Sequence, residues 1–232
     1  ILFVGKRQMC IRDRNTSALG IKPEDIGGTK LGALGIPEFG TDFAMQMLMD
    51  TKPQYFSDLV RIAGLAHGTD VWLGNAQTLI KEGKATISTA ICTRDDIMIY
   101  LIQKGLDSEE SFKIMEMVRK GKVASGKCKE WPEWKQDMID HGVPDWYIWS
   151  CERIKYMFPK AHAAAYVMMA WRVAYCKVFY PLAYYTAYFS IRATAFDYEK
   201  MAMSPVRLEH YIAEYKAKKA EGTISNLSLI HI

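Results

Sequence analysis

The 232-residue chain has few of the features that mark disulfide-rich, metal-stabilised or membrane proteins. Its five cysteines are scattered, without a C-x-x-C pair or a histidine at ligand spacing, so neither a disulfide framework nor a zinc site is indicated and a reducing, cytoplasmic setting is favoured. The most hydrophobic stretch, residues 163–191, is interrupted by Arg172, Lys177 and Pro181. No run approaches the roughly 18 uncharged apolar residues of a membrane span, and we expect no membrane association.

Strand patterns and a strong charge imbalance are scarce as well. Apart from a short extended piece at 85–92, no alternating run is long enough for a strand, and no internal repeat is present. Helix signals dominate, so the fold class expected is all-α, with a Gly/Pro-rich N-terminal loop region at 16–40. The formal charge of +4 is too small for a nucleic-acid coat, so any basic function must come from local clusters.

The two ends look foreign to the rest of the chain. Residues 6–14 and 226–232 resemble translated sequencing-adapter sequence, and we treat 1–14 and 226–232 as artefacts. This interpretation makes the chain an internal piece of a longer protein. It predicts one main domain at 15–200 and a helical continuation at 201–225.

Capping residues and turn residues divide the remaining sequence into helices. Thr41 and Ser57 are placed to cap the first two helices, and Gly105 is placed to end the fourth. Asp107 and Glu110 form a capping-box pattern, Ser204 is placed to cap the last helix, and the lysine-rich tract 123–134 is expected to be a surface loop. The predicted helices cover residues 41–49, 57–63, 73–81, 93–104, 107–120, 132–141, 144–157, 161–180, 182–192 and 205–221.

Two basic groups stand at predicted helix ends. Lys160 and His162 lie at the start of a long apolar helix, where unpaired N–H groups and the positive end of the dipole suit a phosphate. Arg119, Lys120 and Lys122 form the second group. Together they suggest a polyphosphate or nucleic-acid ligand. The alternatives are an ordinary basic C-terminal cap for the second group and a packed core histidine for the first.

Five motifs, in order along the chain, carry a family resemblance. They are GIPEFG at 35–40, HGTDVWLGNAQ at 67–77, CTRDDIM at 92–98, FKIME through RKGK at 112–122, and KYMFPKAHAAAY at 155–166. In this order the motifs closely resemble the PolC-type bacterial DNA polymerase III alpha subunit, a family C replicative polymerase, over residues 16 to about 192. The tract 123–134 departs from the family pattern.

The resemblance implies that the chain is a helical fingers region that closes over the incoming deoxynucleoside triphosphate (dNTP). In that family an upstream palm supplies aspartates that hold two Mg²⁺ ions, and those aspartates are not in this chain. Asp95 and Asp96 stand at a predicted helix start, where acidic residues are ordinary. By two-metal logic we expect the isolated chain to be inactive, although the full-length protein would be a DNA-directed DNA polymerase.

Roles for individual residues follow from this resemblance. Arg119, Lys120 and Lys122 are predicted phosphate contacts, and Lys160 with His162 is predicted to meet the nucleotide at the helix start. His162 is also a candidate general acid that donates a proton to the pyrophosphate leaving group.

A second set of residues is predicted to contact the template or the nascent base pair. His67, Thr69 and Asn75 form a polar cluster beside glycines, for which loop scaffolding is the alternative. Tyr166 lies four residues after His162 and therefore on the same helix face. It would stack on a base or, alternatively, pack in the core.

Two other functional classes remain open from the sequence. One is a stand-alone helical module that binds nucleic-acid backbones without catalysis, and the other is a structural domain whose basic residues are solvated caps. The resemblance favours the polymerase. It implies primer-template DNA, dNTP, the other polymerase domains and replisome subunits such as the sliding clamp as partners, in the bacterial cytoplasm.

Overall fold

The computed structural model describes residues 19–20, 22–23, 31–192 and 202–221. Within these ranges the regular structure is helical and contains no strand, which confirms the all-α prediction. An isolated antiparallel bridge joins Thr69 to Tyr156. The predicted artefacts at 1–14 and 226–232 lie outside the described residues, as does most of the predicted loop before residue 31.

The chain divides into two compact units, Ile1–Phe179 and Tyr180–Ile232. The first unit contains α1 (Asp42–Thr51), α2 (Phe56–His67), a wide turn (Trp72–Ala76), α3 (Gln77–Lys81), α4 (Arg94–Lys104), α5 (Ser108–Arg119), α6 (Trp131–Asp140), α7 (Asp145–Cys151) and α8 (Lys160–Phe179). The second contains α9 (Pro181–Ala187), a π-helical turn (Tyr188–Arg192) and α10 (Pro205–Ala220). The domain boundary predicted at residue 200 falls outside the described residues.

The core of the first unit is built from apolar helix faces. Helix α2 packs on α1 and α8, and α4 packs on α5 and α8. Leu59 and Ile62 of α2, Leu101 of α4, Ile114 of α5 and Val167 of α8 are fully buried. Leu59 and Ile62 are three positions apart and therefore share one face of α2, and each of the other residues lies on the inward face of its own helix. This packing fixes the ends of α4, α5 and α8 near one another.

Several helix boundaries follow the capping chemistry that the sequence predicted. The Thr41 hydroxyl accepts from the Ala44 N–H (3.2 Å) at the start of α1. At the start of α5, Asp107 accepts from the N–H groups of Glu109 (2.9 Å) and Glu110 (3.0 Å). These contacts satisfy backbone donors that a helix start leaves unpaired.

The predicted start of the second helix is wrong by one residue. Helix α2 begins at Phe56, one residue before the predicted cap Ser57. The capping group is instead the Asp58 carboxylate, which accepts from the N–H groups of Gln54 (2.8 Å) and Tyr55 (2.9 Å). This is the reciprocal half of a capping box, in which a carboxylate of the first turn pairs with N–H groups that precede the helix.

Three further predictions are corrected by turns. The helix predicted at 73–81 is reduced to α3 because Gly74 has a φ of 66° inside the preceding wide turn. The helix predicted at 144–157 ends at Cys151, and residues 152–159 form turns and a loop that leads into α8. The extended piece predicted at 85–92 is a hydrogen-bonded turn, in which the Ala90 N–H donates to the Thr86 carbonyl (2.9 Å).

The tract 123–134, predicted as a surface loop, is more closely packed than expected. Val123, Cys128 and Trp134 are buried, and Trp134 already belongs to α6. Apolar side chains spaced through the tract anchor it to the core although its lysines remain exposed.

The long hydrophobic region of the sequence is interrupted by a buried charge. Lys177 on α8 is 3% exposed, and its Nζ donates to the carbonyls of Gly32 (2.9 Å) and Leu34 (2.6 Å). The ammonium therefore binds the loop before α1 to α8, in keeping with the rule that buried charges have polar partners. Within the described parts of the chain, no helix combines the length and the apolar character needed to cross a bilayer.

Candidate anion-binding site

The loop 152–159 connects three separate parts of the first unit. The Met157 N–H donates to the Arg119 carbonyl at the end of α5 (3.2 Å), and the Arg94 N–H at the start of α4 donates to the Phe158 carbonyl (3.2 Å). The Thr69 N–H donates to the Tyr156 carbonyl (2.9 Å). Main-chain hydrogen bonds thus hold the end of α5 and the start of α4 against the loop that becomes α8.

Four charged side chains gather at the end of α5, and we name them the Glu116 cluster: Arg94, Glu116, Arg119 and Lys120. The Arg119 guanidinium donates two parallel hydrogen bonds to the Glu116 carboxylate, from Nε to Oε1 and from Nη2 to Oε2 (2.8 Å). Lys120 Nζ lies 2.8 Å from Oε2, and Arg94 Nη1 lies 3.8 Å from Oε1. A bidentate arginine–carboxylate pair has a defined orientation as well as a favourable energy.

The carboxylate of this cluster is the most enclosed of its four groups. The Glu116 side chain is 17% exposed, compared with 49% for Lys120. The Arg119 hydrogen bonds lower the pKa of Glu116 to about 2, and the pairing raises the pKa of the Arg119 guanidinium. Since three cationic side chains surround one carboxylate, the cluster keeps an excess of positive charge at neutral pH.

The start of α8 already carries an anion from the protein itself. The Lys160 N–H donates to Asp95 Oδ2 (2.6 Å), and Lys160 Nζ lies 3.4 Å from Asp96 Oδ1. The other oxygen of Asp96 accepts from the N–H groups of Thr93 (2.9 Å) and Cys92 (3.2 Å). The helix start that the sequence predicted as a phosphate site is thus capped by a carboxylate of α4.

The first turn of α4 therefore contacts both basic groups, the one that contains Arg119 and Lys120 and the one that contains Lys160. Arg94 faces Glu116, and the next two residues, Asp95 and Asp96, hold Lys160. Arg119, Lys120 and Lys160, which the sequence predicted to converge, are placed on neighbouring elements joined by this turn. Lys122 lies beyond Gly121 with an exposed side chain.

Gly121 permits the close approach on which this arrangement depends. Its φ is 67°, and a Cβ atom built on it would lie 2.5 Å from the Lys155 carbonyl oxygen. Only a residue without a side chain fits both the backbone conformation and the space. The glycine that looked like an ordinary helix C-cap thus also allows the end of α5 to lie against the loop 152–159.

Aromatic rings form a row beside the start of α8. His162 stacks on Phe158 (ring centroids 5.0 Å apart) and lies 4.5 Å from Tyr166, while Tyr156 meets Phe158 at 5.2 Å. His67 lies 6.3 Å from His162. Tyr156 and Tyr166 are 43% and 42% exposed, so neither is a core residue.

The other predicted base-pair contacts occupy different environments. His67 is exposed and is held by Glu38, and Thr69 is exposed beside the bridge to Tyr156. Glu38 adopts a φ of 70°, which is uncommon for a residue other than glycine.

Asn75 lies beneath the surface and is 1% exposed. Its Nδ2 donates to the carbonyls of Asp70 (3.0 Å) and Ser150 (3.2 Å), and its Oδ1 accepts from the Ser150 hydroxyl (2.6 Å). These bonds use both ends of the amide within the protein. The scaffold alternative accounts for this residue, and we do not retain it as a template contact.

The sequence reasoning missed Arg94, Glu116, Glu38 and the capping role of Asp95. Arg94 and Glu116 both lie within the family motifs, but charged residues near helix ends are too common to indicate a site by themselves. The i, i+3 and i, i+4 spacing of Glu116 with Arg119 and Lys120 is the signal that could have identified the cluster.

We find no group of three His, Cys, Asp or Glu residues able to hold a metal ion in the described parts of the chain. Asp95 and Asp96 accept main-chain hydrogen bonds and contact Lys160, so they do not resemble a vacant pair of metal-binding carboxylates. We therefore assign no metal ligand to these residues.

The sequence profile of the bacterial DNA polymerase III alpha subunit finger domain matches residues 11–142 of the chain, more than half its length. The chain belongs to this finger domain family. The match includes His67, Arg94 and the rest of the Glu116 cluster, and it confirms the resemblance seen in the motifs. Lys160, His162 and Tyr166 lie beyond the matched residues.

Curated relatives extend the similarity through α8 and beyond. The chain is 50% identical to the DNA polymerase III PolC-type of Caldanaerobacter subterraneus subsp. tengcongensis over 99% of its length. It is 52% identical to the protein of the same name from Bacillus subtilis over 94% of its length, and 56% identical to that of Streptococcus suis over 91%. The finger domain chain spans 16%, 15% and 14% of these relatives, respectively.

Proposed function

We propose that this chain forms the fingers of a PolC-type DNA polymerase III and binds the triphosphate of the incoming dNTP during DNA replication. The single observation that carries this proposal is the Glu116 cluster, held by main-chain hydrogen bonds against the loop that becomes α8. The family membership and the names of the relatives supply the polymerase context.

The electrostatics of the cluster suit this ligand. Phosphoryl transfer develops charge on the phosphate oxygens, and cations fixed in advance stabilise that charge without further reorganisation. Arg119 and Lys120 are the leading phosphate contacts, Lys122 extends the positive surface, and Arg94 adds a cation from α4. Lys160 contributes through its ammonium, because its main-chain N–H is already used by Asp95.

The aromatic row supports a second part of the proposal. His162 and Tyr166 share a face of α8, and exposed rings can stack on a base without sequence preference. Tyr166, His67 and Thr69 are proposed to lie beside the template or nascent base pair. His162 packs between Phe158 and Tyr166 and is proposed as the general acid that donates a proton to the pyrophosphate.

The remaining components belong to the whole polymerase. We place the Mg²⁺ ligands and the catalytic aspartates in other domains of that polymerase, and we expect primer-template DNA, those domains and the sliding clamp as partners in the bacterial cytoplasm. Bound Mg²⁺ ions would supply activation of the attacking oxygen and stabilisation of the leaving group. The residues of this chain would hold and orient the triphosphate.

Single-nucleotide incorporation tests the proposal. This chain replaces the matching segment of the Bacillus subtilis relative, and Arg119→Ala is compared with the parent chimera. Loss of a hydrogen bond between charged groups costs about 1.5–3 kcal/mol, so the KM for dNTP should rise about 10- to 150-fold. The Kd for primer-template should change much less.

Lys113→Ala is the matched control because Lys113 is an exposed cation of the same helix, paired only with Glu109 among the described residues (2.7 Å). It should leave the KM unchanged. An unchanged KM for Arg119→Ala would reject the proposal. DNA binding by the chain alone, with a steep salt dependence that Arg119→Ala reduces, would favour the backbone-binding module instead.

A further inference from the structure

Resting on the proposed function, we propose that Glu116 is a positioning residue for triphosphate binding. It does not touch the ligand in this scheme. Its carboxylate holds Arg119, Lys120 and Arg94 in the arrangement that the phosphates meet, and Arg94 becomes a further phosphate-binding residue.

The fork between Arg119 and Glu116 leaves binding capacity on the arginine. A guanidinium has five N–H donors, and Glu116 occupies one on Nε and one on Nη2. Three donors remain, and they lie toward the end of the guanidinium away from Nε. Because the fork is rigid, fixing one edge fixes the direction in which the other edge points. The contact therefore orients the arginine without consuming it.

The location of Glu116 is unfavourable unless its partners are considered. It stands three residues before the end of α5, where the helix dipole disfavours a carboxylate. Its side chain is also largely enclosed, and burial of an unpaired charge is costly. Three cations from two helices compensate for both effects.

The three cations also need the carboxylate. Arg119, Lys120 and Arg94 converge from α5 and α4, and like charges at this spacing repel one another. Long side chains without a common partner would separate into solvent and recover rotamer entropy. A triphosphate would then have to gather them at the moment of binding, which would weaken its affinity.

A role through net charge and a role through positioning predict opposite effects when the Glu116 carboxylate is removed. If the cluster acted only through its net charge, Glu116→Gln would make it more positive and would tighten the binding of an anion. If Glu116 positions the cations, the same change should weaken binding although the charge favours it. The sign of the effect decides between the two.

The experiment uses the chimera in which this chain replaces the matching segment of the Bacillus subtilis relative, with tripolyphosphate as the probe, in isothermal titration calorimetry at constant ionic strength. We expect Glu116→Gln to weaken binding about tenfold, the order of effect produced by removing a group that orients binding side chains. Glu116→Asp keeps the charge but shortens the reach, and it should also weaken binding. Glu109→Gln, an exposed acid of the same helix, is the control and should have no such effect.

A double-mutant cycle separates positioning from a general loss of structure. If Glu116 acts in part through Arg119, then Glu116→Gln should have a clearly smaller effect in a background that already carries Arg119→Ala, and the remainder should come from Lys120 and Arg94. Circular dichroism of each variant reports whether the helices are retained. If Glu116→Gln does not fold, the same cycle is run with Glu116→Asp.

The possible outcomes distinguish the two proposals. No effect of Arg119→Ala on the binding of tripolyphosphate by the chimera would overturn the proposed function and this inference with it. Weaker binding by Arg119→Ala together with unchanged or tighter binding by both Glu116 variants would overturn the positioning role alone. Additive effects in the cycle would do the same.

Discussion

The two ends of α5 both carry charges of the sign that a helix dipole favours, yet they are organised differently. Toward the N-terminal end, acidic residues line much of a groove between α5 and α6, namely Asp107, Glu109, Glu110, Glu130 and Glu133, and the groove continues along α5 past Lys113 to Glu116. At the C-terminal end, the basic residues converge on one enclosed carboxylate, Glu116.

The pKa values of two glutamates on this helix show the difference. Burial, followed by repulsion from Asp137 and other carboxylates, raises the pKa of Glu110. Hydrogen bonds from Arg119 and Lys120 lower that of Glu116 despite its burial. At the acidic end the carboxylates repel one another, whereas at the basic end the cations share hydrogen bonds and ion pairs with the Glu116 carboxylate. Charge at a helix end is therefore weak evidence for a site until a shared, enclosed partner is found.

The largest effect is expected from Gly121→Ala, which would separate the basic end from the loop 152–159. The new Cβ would lie 2.5 Å from the Lys155 carbonyl oxygen, in a backbone conformation with a φ of 67°. We expect a loss of about 3 kcal/mol in unfolding free energy, measured by urea denaturation. Gly126→Ala is the control because its φ is 68° and its Cβ meets nothing within 4 Å. It should cost only about 1 kcal/mol, and equal losses for both would argue against the close contact.

An intermediate effect is expected for Glu116→Gln, measured as unfolding free energy against pH. Because the folded pKa of about 2 lies below the ordinary 4.5, Glu116 contributes stability that is present above pH 4.5 and disappears as the pH falls toward 2. After allowance for solvent screening, this contribution is about 1–2 kcal/mol. The Gln variant should lack it. Identical pH profiles for the two proteins would show that the cluster does not stabilise the fold.

The smallest effect, with the opposite sign, is expected for Glu110→Gln at the acidic end. A raised folded pKa means that the ionised carboxylate is disfavoured in the native state, so the stability contribution falls as the pH rises through the pKa. Removing the charge should stabilise the protein at neutral pH by about 0.2–0.5 kcal/mol. A loss of stability at neutral pH would mean that the acidic end, like the basic end, is built around a favourable contact.

Local signals in the sequence were sufficient for much of the fold. Thr41, Asp107 and Gly105 mark helix ends because their capping bonds involve residues only a few positions away. The predictions failed where a turn depended on conformations without a local signature. Gly74 interrupts a helical composition, and the helix predicted to reach Met157 ends at Cys151, after which the chain pairs with Thr69 and with the end of α5.

The candidate site was predicted only in part, for a related reason. Arg119, Lys120 and Lys160 were identified by their place at helix ends, and the motifs gave the family, which the finger domain profile confirms. Arg94 was missed because its importance depends on Glu116, 22 residues away along the chain and on another helix, whereas Glu116 has a local signal in its spacing to Arg119 and Lys120. Asn75 shows the converse, since a residue that looked available for DNA is enclosed by Ser150, 75 residues further on.

By itself, the sequence determined the helical class, most helix boundaries and the family, because periodicity, capping and motif order are properties of short segments and their succession. Only the tertiary structure decided which charges share a partner. It set Asp95 on the start of α8, brought Arg94 and Arg119 to one carboxylate, and buried Asn75. Electrostatic energy depends on distance in space and on exclusion of water, and neither quantity can be calculated from the spacing of residues along the chain.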